Sequence, residues 1–227
     1  MQHLLLLHGA IGASAQLASV AAQLSDKYTI HTLDFSGHGG KPADAAFTME
    51  LFANDVLEYM AAQQLESVSV FGYSMGGYVG MYLAKHHPEK VAKLVTLATK
   101  YHWDEATAAK ETQMLNPDKI AQKLPAFADI LQQRHAPADW KTVLGKTAEM
   151  MLALGSSNPL QTADYTTITT PSLILLGDRD KMVTLDETLV VYKALPNAQL
   201  GILPHTPHPI EQVDVDLLGF MVRKFCG

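Results

Sequence analysis

Six short apolar segments, most of them apolar at nearly every position, constrain the fold of this chain more than any other feature. They lie at Leu4–Leu7, Tyr28–Leu33, Val68–Phe71, Lys93–Leu97, Ser172–Leu176 and Gln199–Leu203. A continuous apolar run is typical of a strand buried on both faces, as in a parallel sheet covered by helices. Helical patterns occur between and after these segments, at Ser14–Leu24, Thr48–Gln64, Tyr78–His86 and Asp214–Phe225. The alternation predicts an α/β fold, doubly wound around a mainly parallel six-stranded sheet.

The segment from Tyr101 to Thr169 interrupts this alternation. It shows no strand pattern, and its helical stretches are separated by prolines. Those stretches are expected near Glu105–Leu115, Asp118–Leu131, Ala138–Leu154 and Asn158–Tyr165. We therefore expect a core domain formed by residues 1–100 and 170–227, with residues 101–169 inserted into it as a helical lid.

Composition limits the partners of the chain. Its 227 residues, 48% of them hydrophobic, suit one domain with a full core. The formal net charge is −6 and no basic block occurs, which argues against nucleic acid and anionic membranes as partners.

The apolar run Leu4–Leu7 is too short to span a membrane and lacks the features of a signal peptide. The single cysteine, Cys226, cannot form an internal disulfide and is expected in a disordered tail. We expect a cytoplasmic monomer or homodimer that acts on a small molecule.

A G-x-S-x-G motif follows the third apolar segment directly. Residues 72–76 read Gly-Tyr-Ser-Met-Gly, and a helical pattern begins behind them. The order of strand, tight turn and helix is the context in which such a serine serves as a nucleophile. Gly-rich turns also bind phosphates, but neither a G-x-x-G continuation nor a Gly-Lys-Ser/Thr sequence follows here. The pattern therefore indicates Ser74 as a nucleophile, which needs a base to accept its proton.

The partners of such a serine occur later in the chain, in the order acid and then base. Asp178 and Asp180 follow the fifth apolar segment, and His205 and His208 follow the sixth. Because the carboxyl ends of parallel strands meet at one edge of a sheet, these side chains are expected near Ser74. This reasoning leaves two candidate acids and two candidate bases.

Taken together, these motifs resemble those of the α/β-hydrolase superfamily over nearly the whole chain. Residues 8–12, His-Gly-Ala-Ile-Gly, look like the family's H-G-x-x-G loop, and residues 34–39 look like its D-x-x-G-x-G loop. The resemblance implies that the backbone amides of Ala10 and Met75 form an oxyanion hole and that His8 orients the oxyanion loop. Its acid motif favours Asp180 over Asp178, and the start of the last helix favours His208 over His205. Two additional N-terminal strands found in many members have no counterpart here.

The same resemblance implies an activity. A serine hydrolase that cleaves a small ester or thioester through an acyl-enzyme, without metal or organic cofactor, is the leading hypothesis. Asp34 and His38 look like a metal-binding pair, but no third ligand is evident and the loop motif accounts for both. The substrate-binding residues are expected to be Tyr73, Trp103, Met150 and Met151, and Met114, Phe127 and Trp140 are further apolar residues of the insertion.

Other activities on the same fold remain open at this stage. A lyase similar to the menaquinone-pathway synthase is one, although Tyr78 stands where those enzymes usually carry arginine. Carbon–carbon bond hydrolases and proline iminopeptidases are others. A small-molecule receptor with very slow turnover belongs to a different class and would carry the same motifs.

Overall fold

A single parallel sheet forms the centre of the computed structural model, which describes residues 1–42 and 44–227. Its strands are β1 (Gln2–Leu7), β2 (Tyr28–Thr32), β3 (Val68–Tyr73), β4 (Val91–Leu97), β5 (Ser172–Gly177) and β6 (Ala198–Leu203). Neighbouring strands are parallel throughout, in the order β2-β1-β3-β4-β5-β6. The prediction of a doubly wound six-stranded sheet is confirmed, and the strand ends lie within two residues of the apolar segments.

The helices are α1 (Ala18–Leu24), α2 (Met49–Ala62), α3 (Met75–His86), α4 (Glu105–Thr112), α5 (Pro117–Lys123), α6 (Pro125–His135), α7 (Trp140–Ser156), α8 (Thr162–Tyr165), α9 (Leu185–Ala194) and α10 (Val215–Cys226). Short 3₁₀ helices occupy Ser14–Leu17, Pro88–Lys90, Gln113–Leu115 and Ile210–Gln212. Within the described ranges, no helix has both the length and the apolar character needed to cross a membrane.

Three helices, α5, α6 and α9, differ from the sequence prediction. The stretch expected at Asp118–Leu131 is two helices, because Pro125 begins α6, where its missing N–H has no intrahelical partner to lose. Helix α9, between β5 and β6, was not predicted. Its signal was a capping box, in which the Thr184 side chain accepts from the Glu187 amide and the Glu187 carboxylate accepts from the Thr184 amide.

Alternate side chains of β1 enter different hydrophobic cores. Leu4 and Leu6 pack with residues of α1 and α10 on one face of the sheet. Leu5 and Leu7 pack with residues of α2, α3 and α9 on the other. All four leucines are fully buried. Helices therefore cover both faces of the sheet, which is the arrangement that a continuously apolar strand predicts.

Residues 98–171, all of them described, contain helices α4 to α8 and no strand. Met150, Leu154 and Tyr165 of this insertion join the core on the α2–α3 face of the sheet. A smaller cluster within the insertion is formed by Ile120, Leu131, Trp140 and Leu144. The insertion thus packs partly against the sheet domain and partly on itself.

The expectation of a disordered tail at Cys226 is wrong. Cys226 ends α10 and is buried in the core on the α1–α10 face. Lys93 Nζ donates to the carbonyls of Phe225 and Cys226, each at 2.9 Å, which holds the end of the chain against β4. Burial raises the pKa of the Cys226 thiol to about 11, so the thiol is protonated and unreactive at neutral pH.

The strand order places one crevice at the centre of the sheet. The chain proceeds from β1 to β2 on one side and then returns to β3 on the other side of β1. Ligands of open parallel sheets bind outside the carboxyl ends of the strands at such a reversal. The loops that follow β1 and β3 meet there, and they carry Ala10 and Ser74.

Candidate active site

Ser74 occupies a strained turn between β3 and α3. Its backbone has φ 52° and ψ −117°, a combination that non-glycine residues seldom adopt. The flanking glycines allow the turn because a Cβ on Gly72 would lie 2.4 Å from the Gly76 carbonyl oxygen. A Cβ on Gly76 would lie 2.4 Å from the Leu7 carbonyl oxygen. The Ser74 amide donates to the Leu97 carbonyl at 2.8 Å, which fixes the turn on β4.

The structure brings Ser74, His208 and Asp180 into one hydrogen-bonded chain. Ser74 Oγ lies 3.3 Å from His208 Nε2, and His208 Nδ1 lies 2.8 Å from Asp180 Oδ2. Because an ionised carboxylate can only accept, Nδ1 carries the proton when His208 is neutral, and Nε2 then accepts from the Ser74 hydroxyl. Tyr73 donates its hydroxyl hydrogen to the His208 carbonyl at 3.0 Å, which holds the backbone of the histidine.

Asp180 is held as a carboxylate in this arrangement. Burial acts to raise its pKa, but hydrogen bonds from His208 and from the amides of Val183 and Met182 outweigh burial and lower the pKa below its ordinary value. Asp180 Oδ1 accepts from the Met182 amide at 2.8 Å and from the Val183 amide at 2.9 Å. The second oxygen is therefore left to face His208 in a fixed orientation.

Asp178 and His205, the two competing candidates, lie outside this chain of hydrogen bonds. Asp178 Oδ1 accepts from the Thr206 amide at 3.2 Å, so this carboxylate supports the loop that follows β6. His205 is exposed and has φ 51°, which marks a turn position. The geometry therefore links Ser74 to His208 and, through His208, to Asp180, whereas Asp178 and His205 take no part in these hydrogen bonds.

Ala10 and Met75 line the same cavity as Ser74. Met75 is the first residue of α3, where backbone amides have no intrahelical acceptor and the helix dipole favours negative charge. Neither amide donates a hydrogen bond to any residue in the described part of the chain. Two amides without an internal acceptor therefore belong to residues that line the cavity at Ser74.

His8 and its neighbours hold the loop that carries Ala10. His8 Nε2 accepts from the Phe35 amide at 3.1 Å, so Nδ1 is protonated and donates to the Gly9 carbonyl at 2.8 Å. Burial lowers the pKa of His8 to about 4, so the ring is neutral near pH 7. Helix α6 adds a second support, because Arg134 Nη1 and His135 Nε2 each donate to the Ile11 carbonyl at 3.0 Å.

Asp34 and His38 belong to no cluster of three or more potential metal ligands within residues 1–42 and 44–227. Asp34 Oδ1 accepts from the Ser14 amide at 2.7 Å and thereby joins the loops after β1 and β2. The buried His38 ring stacks on Phe47 at 5.0 Å between centroids. Both residues are structural parts of the loop that carries them.

The cavity at Ser74 is mostly apolar and encloses about 460 Å³ of empty space, including its open mouth. Its lining includes Met49, Tyr78, Trp103, Met150, Met151, Leu154, Met182 and Val183. Three of the four predicted substrate-binding residues, Trp103, Met150 and Met151, therefore lie in its wall. Met114 is exposed and Trp140 packs inside the insertion, so neither lines this cavity.

A second cavity also borders Ser74 and His208. Its wall includes Tyr73, Phe127, Arg134 and Glu211. Ser74 and His208 thus line both cavities, and the second cavity also has the charged residues Arg134 and Glu211 in its wall.

Sequence reasoning missed two charged residues of the apolar cavity, Lys100 and Glu111. Lys100 follows β4 and Glu111 lies in the last turn of α4. Neither residue belongs to a local motif, so their proximity had no signal in the sequence.

These features define an enzyme of the α/β-hydrolase class, and comparison with known families agrees. A family model described as alpha/beta hydrolase fold matches residues 2–139, more than half of the chain. The chain belongs to the alpha/beta hydrolase fold family.

Individual relatives agree with this assignment. The chain is 28% identical over 224 aligned positions to the pimeloyl-[acyl-carrier protein] methyl ester esterase of Chromobacterium violaceum, covering 89% of this chain and 83% of that protein. It is 38% identical over 98 residues to the esterase of the same name from Klebsiella pneumoniae, covering 43% of this chain and 36% of that protein. The enol-lactonase of Burkholderia xenovorans superposes with a TM-score of 0.79 at 19% identity, over 99% of this chain and 91% of that one, which shows the shared fold. The fold family and the esterase relatives together support a hydrolase.

Proposed function

We propose that the chain is a serine carboxylesterase that cleaves small esters or thioesters through an acyl-enzyme. The observation that carries the proposal is the hydrogen-bonded chain of Ser74, His208 and Asp180. Ser74 is the nucleophile, His208 the general base and Asp180 the residue that orients and stabilises the histidine.

The geometry supports a two-step reaction. His208 Nε2 takes the Ser74 proton as Oγ attacks the carbonyl carbon, and the resulting imidazolium passes that proton to the departing alcohol. A water molecule then takes the place of the alcohol, gives a proton to His208 and attacks the acyl carbon. Collapse of the second intermediate releases the acid and returns the proton to Ser74. Asp180 remains ionised throughout, because its role is to hold Nδ1–H and to balance the imidazolium charge.

The amides of Ala10 and Met75 are assigned to the oxyanion hole in this proposal. They carry no other hydrogen bond in the described residues and lie beside the nucleophile. Charge develops on the substrate oxygen only in the transition state, so donors placed for it accelerate the reaction instead of merely tightening binding.

The two cavities suggest how an ester binds. We assign the acyl group to the apolar cavity with Trp103, Met150 and Met151, and the alcohol to the second cavity beside Tyr73. Residues 101–169 act as a helical lid, since α7 contributes one wall above the nucleophile. The relatives named for a methyl ester esterase favour a small alcohol such as methanol as the leaving group.

A fluorophosphonate probe tests the nucleophile. The expected result is one label, mapped to Ser74, with loss of labelling and a fall in kcat for methyl esters of about 10⁴-fold or more in Ser74→Ala. Ser156→Ala, which alters a serine at the end of α7, is the matched control and should keep both properties. A label elsewhere, or tight binding of esters without turnover, contradicts the proposal, and the second outcome indicates a receptor.

The orienting acid is tested by two matched substitutions. Asp180→Asn should lower kcat strongly because the amide can donate to Nδ1 and so favours the wrong tautomer of His208. Asp178→Asn alters a carboxylate that only supports the neighbouring loop, so kcat should change little. The opposite pattern would refute the assignment of Asp180.

A further inference from the structure

Three charged side chains meet at the wall of the apolar cavity. Lys100 Nζ lies 3.7 Å from Glu111 Oε1 and 3.6 Å from Glu187 Oε2. The Glu111 side chain is only 3% exposed, and those of Lys100 and Glu187 are each 13% exposed. Lys100 and Glu111 line the cavity that contains Ser74, whereas Glu187 lines a neighbouring cavity.

This group of charges is incompletely hydrogen-bonded. Glu111 Oε2 is buried without a donor among the described residues, and both Lys100 distances exceed those of a good N–H···O bond. Glu111 also lies in the last turn of α4, where the helix dipole disfavours a negative charge. A buried carboxylate oxygen without a donor is costly. Because Glu111 also lines the cavity at Ser74, its unpaired oxygen points to a ligand that supplies the missing hydrogen bond.

We propose that Lys100 and Glu111 bind a hydroxyl group on the acyl part of the substrate. The hydroxyl oxygen accepts from Lys100 Nζ and its hydrogen is donated to Glu111 Oε2. The substrate class is therefore a hydroxyacyl ester, with an otherwise apolar acyl chain against Trp103 and Met150.

The opposite charges of Lys100 and Glu111 favour a neutral hydroxyl over an ionised group on the substrate. An ammonium group would face Lys100, and a carboxylate would face Glu111 with Glu187 close behind. A neutral group that both donates and accepts avoids either repulsion and satisfies both partners. A site built for a hydroxyl discriminates against the analogue that lacks it, because its buried polar atoms then stay unpaired.

The inference rests on the proposed esterase function, and one series of methyl esters tests both. The series pairs methyl butanoate with methyl 3-hydroxybutanoate and methyl hexanoate with methyl 6-hydroxyhexanoate. It also includes methyl 6-aminohexanoate and monomethyl adipate. Acid release in a pH-stat measures kcat/KM. At least one hydroxy ester should exceed its plain counterpart by about tenfold or more, the value of a hydrogen bond to a charged group.

A double substitution tests the assigned residues. Lys100→Met with Glu111→Met replaces the pair by apolar side chains of similar length, and should reduce the hydroxy-to-plain ratio of kcat/KM to about one or below. Glu105→Gln, on the exposed side of the same helix, is the control and should keep the wild-type ratio. If the double variant does not fold, the wild-type series decides alone.

The outcomes separate the two proposals. Hydrolysis of all esters without preference for a hydroxyl, or preference for the amino or carboxylate ester, overturns the hydroxyacyl inference and leaves the esterase proposal intact. No hydrolysis of any ester, together with an unlabelled Ser74, overturns both. An unchanged ratio in the double variant overturns the assignment to Lys100 and Glu111.

Discussion

The buried His38 should make the protein sensitive to acid. Its Nδ1 donates to the Ser36 carbonyl at 3.2 Å, while Nε2 has no partner among the described residues. Burial lowers the pKa of His38 to about 3, with further lowering by His8 and His135. The Ser36 hydrogen bond and the charge of Asp34 oppose this shift without reversing it. The folded protein is therefore more stable with the His38 ring neutral than with it protonated.

The magnitude follows from proton linkage. Between about pH 6.5 and pH 3 the unfolded chain binds a proton at His38 that the folded chain does not bind. The contribution of neutral His38 to the free energy of unfolding is therefore fully present above about pH 6.5 and decreases as the pH is lowered through this range. From pH 7 to pH 5 the loss is about 2 kcal/mol for His38. His8, whose pKa is lowered to about 4, adds a second loss of about 2 kcal/mol over the same interval.

Urea unfolding at pH 7 and pH 5 measures this loss. We expect His38→Asn, which keeps a donor near the Ser36 carbonyl, to lose about 2 kcal/mol less than the wild type between the two pH values. His86→Asn, at an exposed histidine, should lose as much as the wild type. Comparing each variant with itself at two pH values removes any cost of the substitution at pH 7. If His38→Asn loses as much stability as the wild type, the reasoning from burial is refuted.

Three further predictions concern the site. His208→Ala should lower the esterase kcat by about 10⁴-fold or more, while His205→Ala should keep most of it, and reversed kinetics would move the base to His205. Gly76→Ala should destabilise the fold by about 1–3 kcal/mol or more in urea unfolding, because its Cβ would press on the Leu7 carbonyl, and a neutral result would contradict the packing at the turn. Met150→Ala should shift the preferred methyl ester to a longer acyl chain, whereas exposed Met114→Ala should not. Equal losses for every chain length would show that Met150 supports the fold and does not set specificity.

Features with a local signature were predictable from the sequence. A strand buried on both faces must be apolar at nearly every position, so the six strands were visible in residue order. The turn at Ser74 requires glycine at positions 72 and 76, because backbone oxygens occupy the space of a Cβ. The order of elements left the choice between Asp178 and Asp180 open, since both follow β5, and only the resemblance to the family's acid motif favoured Asp180. The amides of residues 182 and 183 orient one carboxylate, and the Thr206 amide binds the other.

Features that depend on distant elements were missed. Lys100, Glu111 and Glu187 come from the loop after β4, from α4 and from α9, and only the tertiary fold brings them together. Charged residues are seldom buried, so a hydropathy pattern predicts Lys100, Glu111 and Glu187 on the surface and not at a cavity. The buried position of Cys226 depends in the same way on Lys93, which lies far away in the chain and binds its carbonyl.

The two hydrogen bonds from α6 to the Ile11 carbonyl join the proposed lid to the loop that carries the proposed oxyanion donor Ala10. Any motion that lifts α6 away from the sheet domain breaks both hydrogen bonds. It thereby releases Ile11, the residue next to Ala10, whose backbone φ of 52° is costly without these hydrogen bonds. If residues 101–169 act as the proposed lid and open to admit a substrate, the loop that carries the proposed oxyanion donor Ala10 loses both hydrogen bonds at the same moment. An open molecule would then be able to bind an ester but not to cleave it, so that closure becomes a condition of turnover.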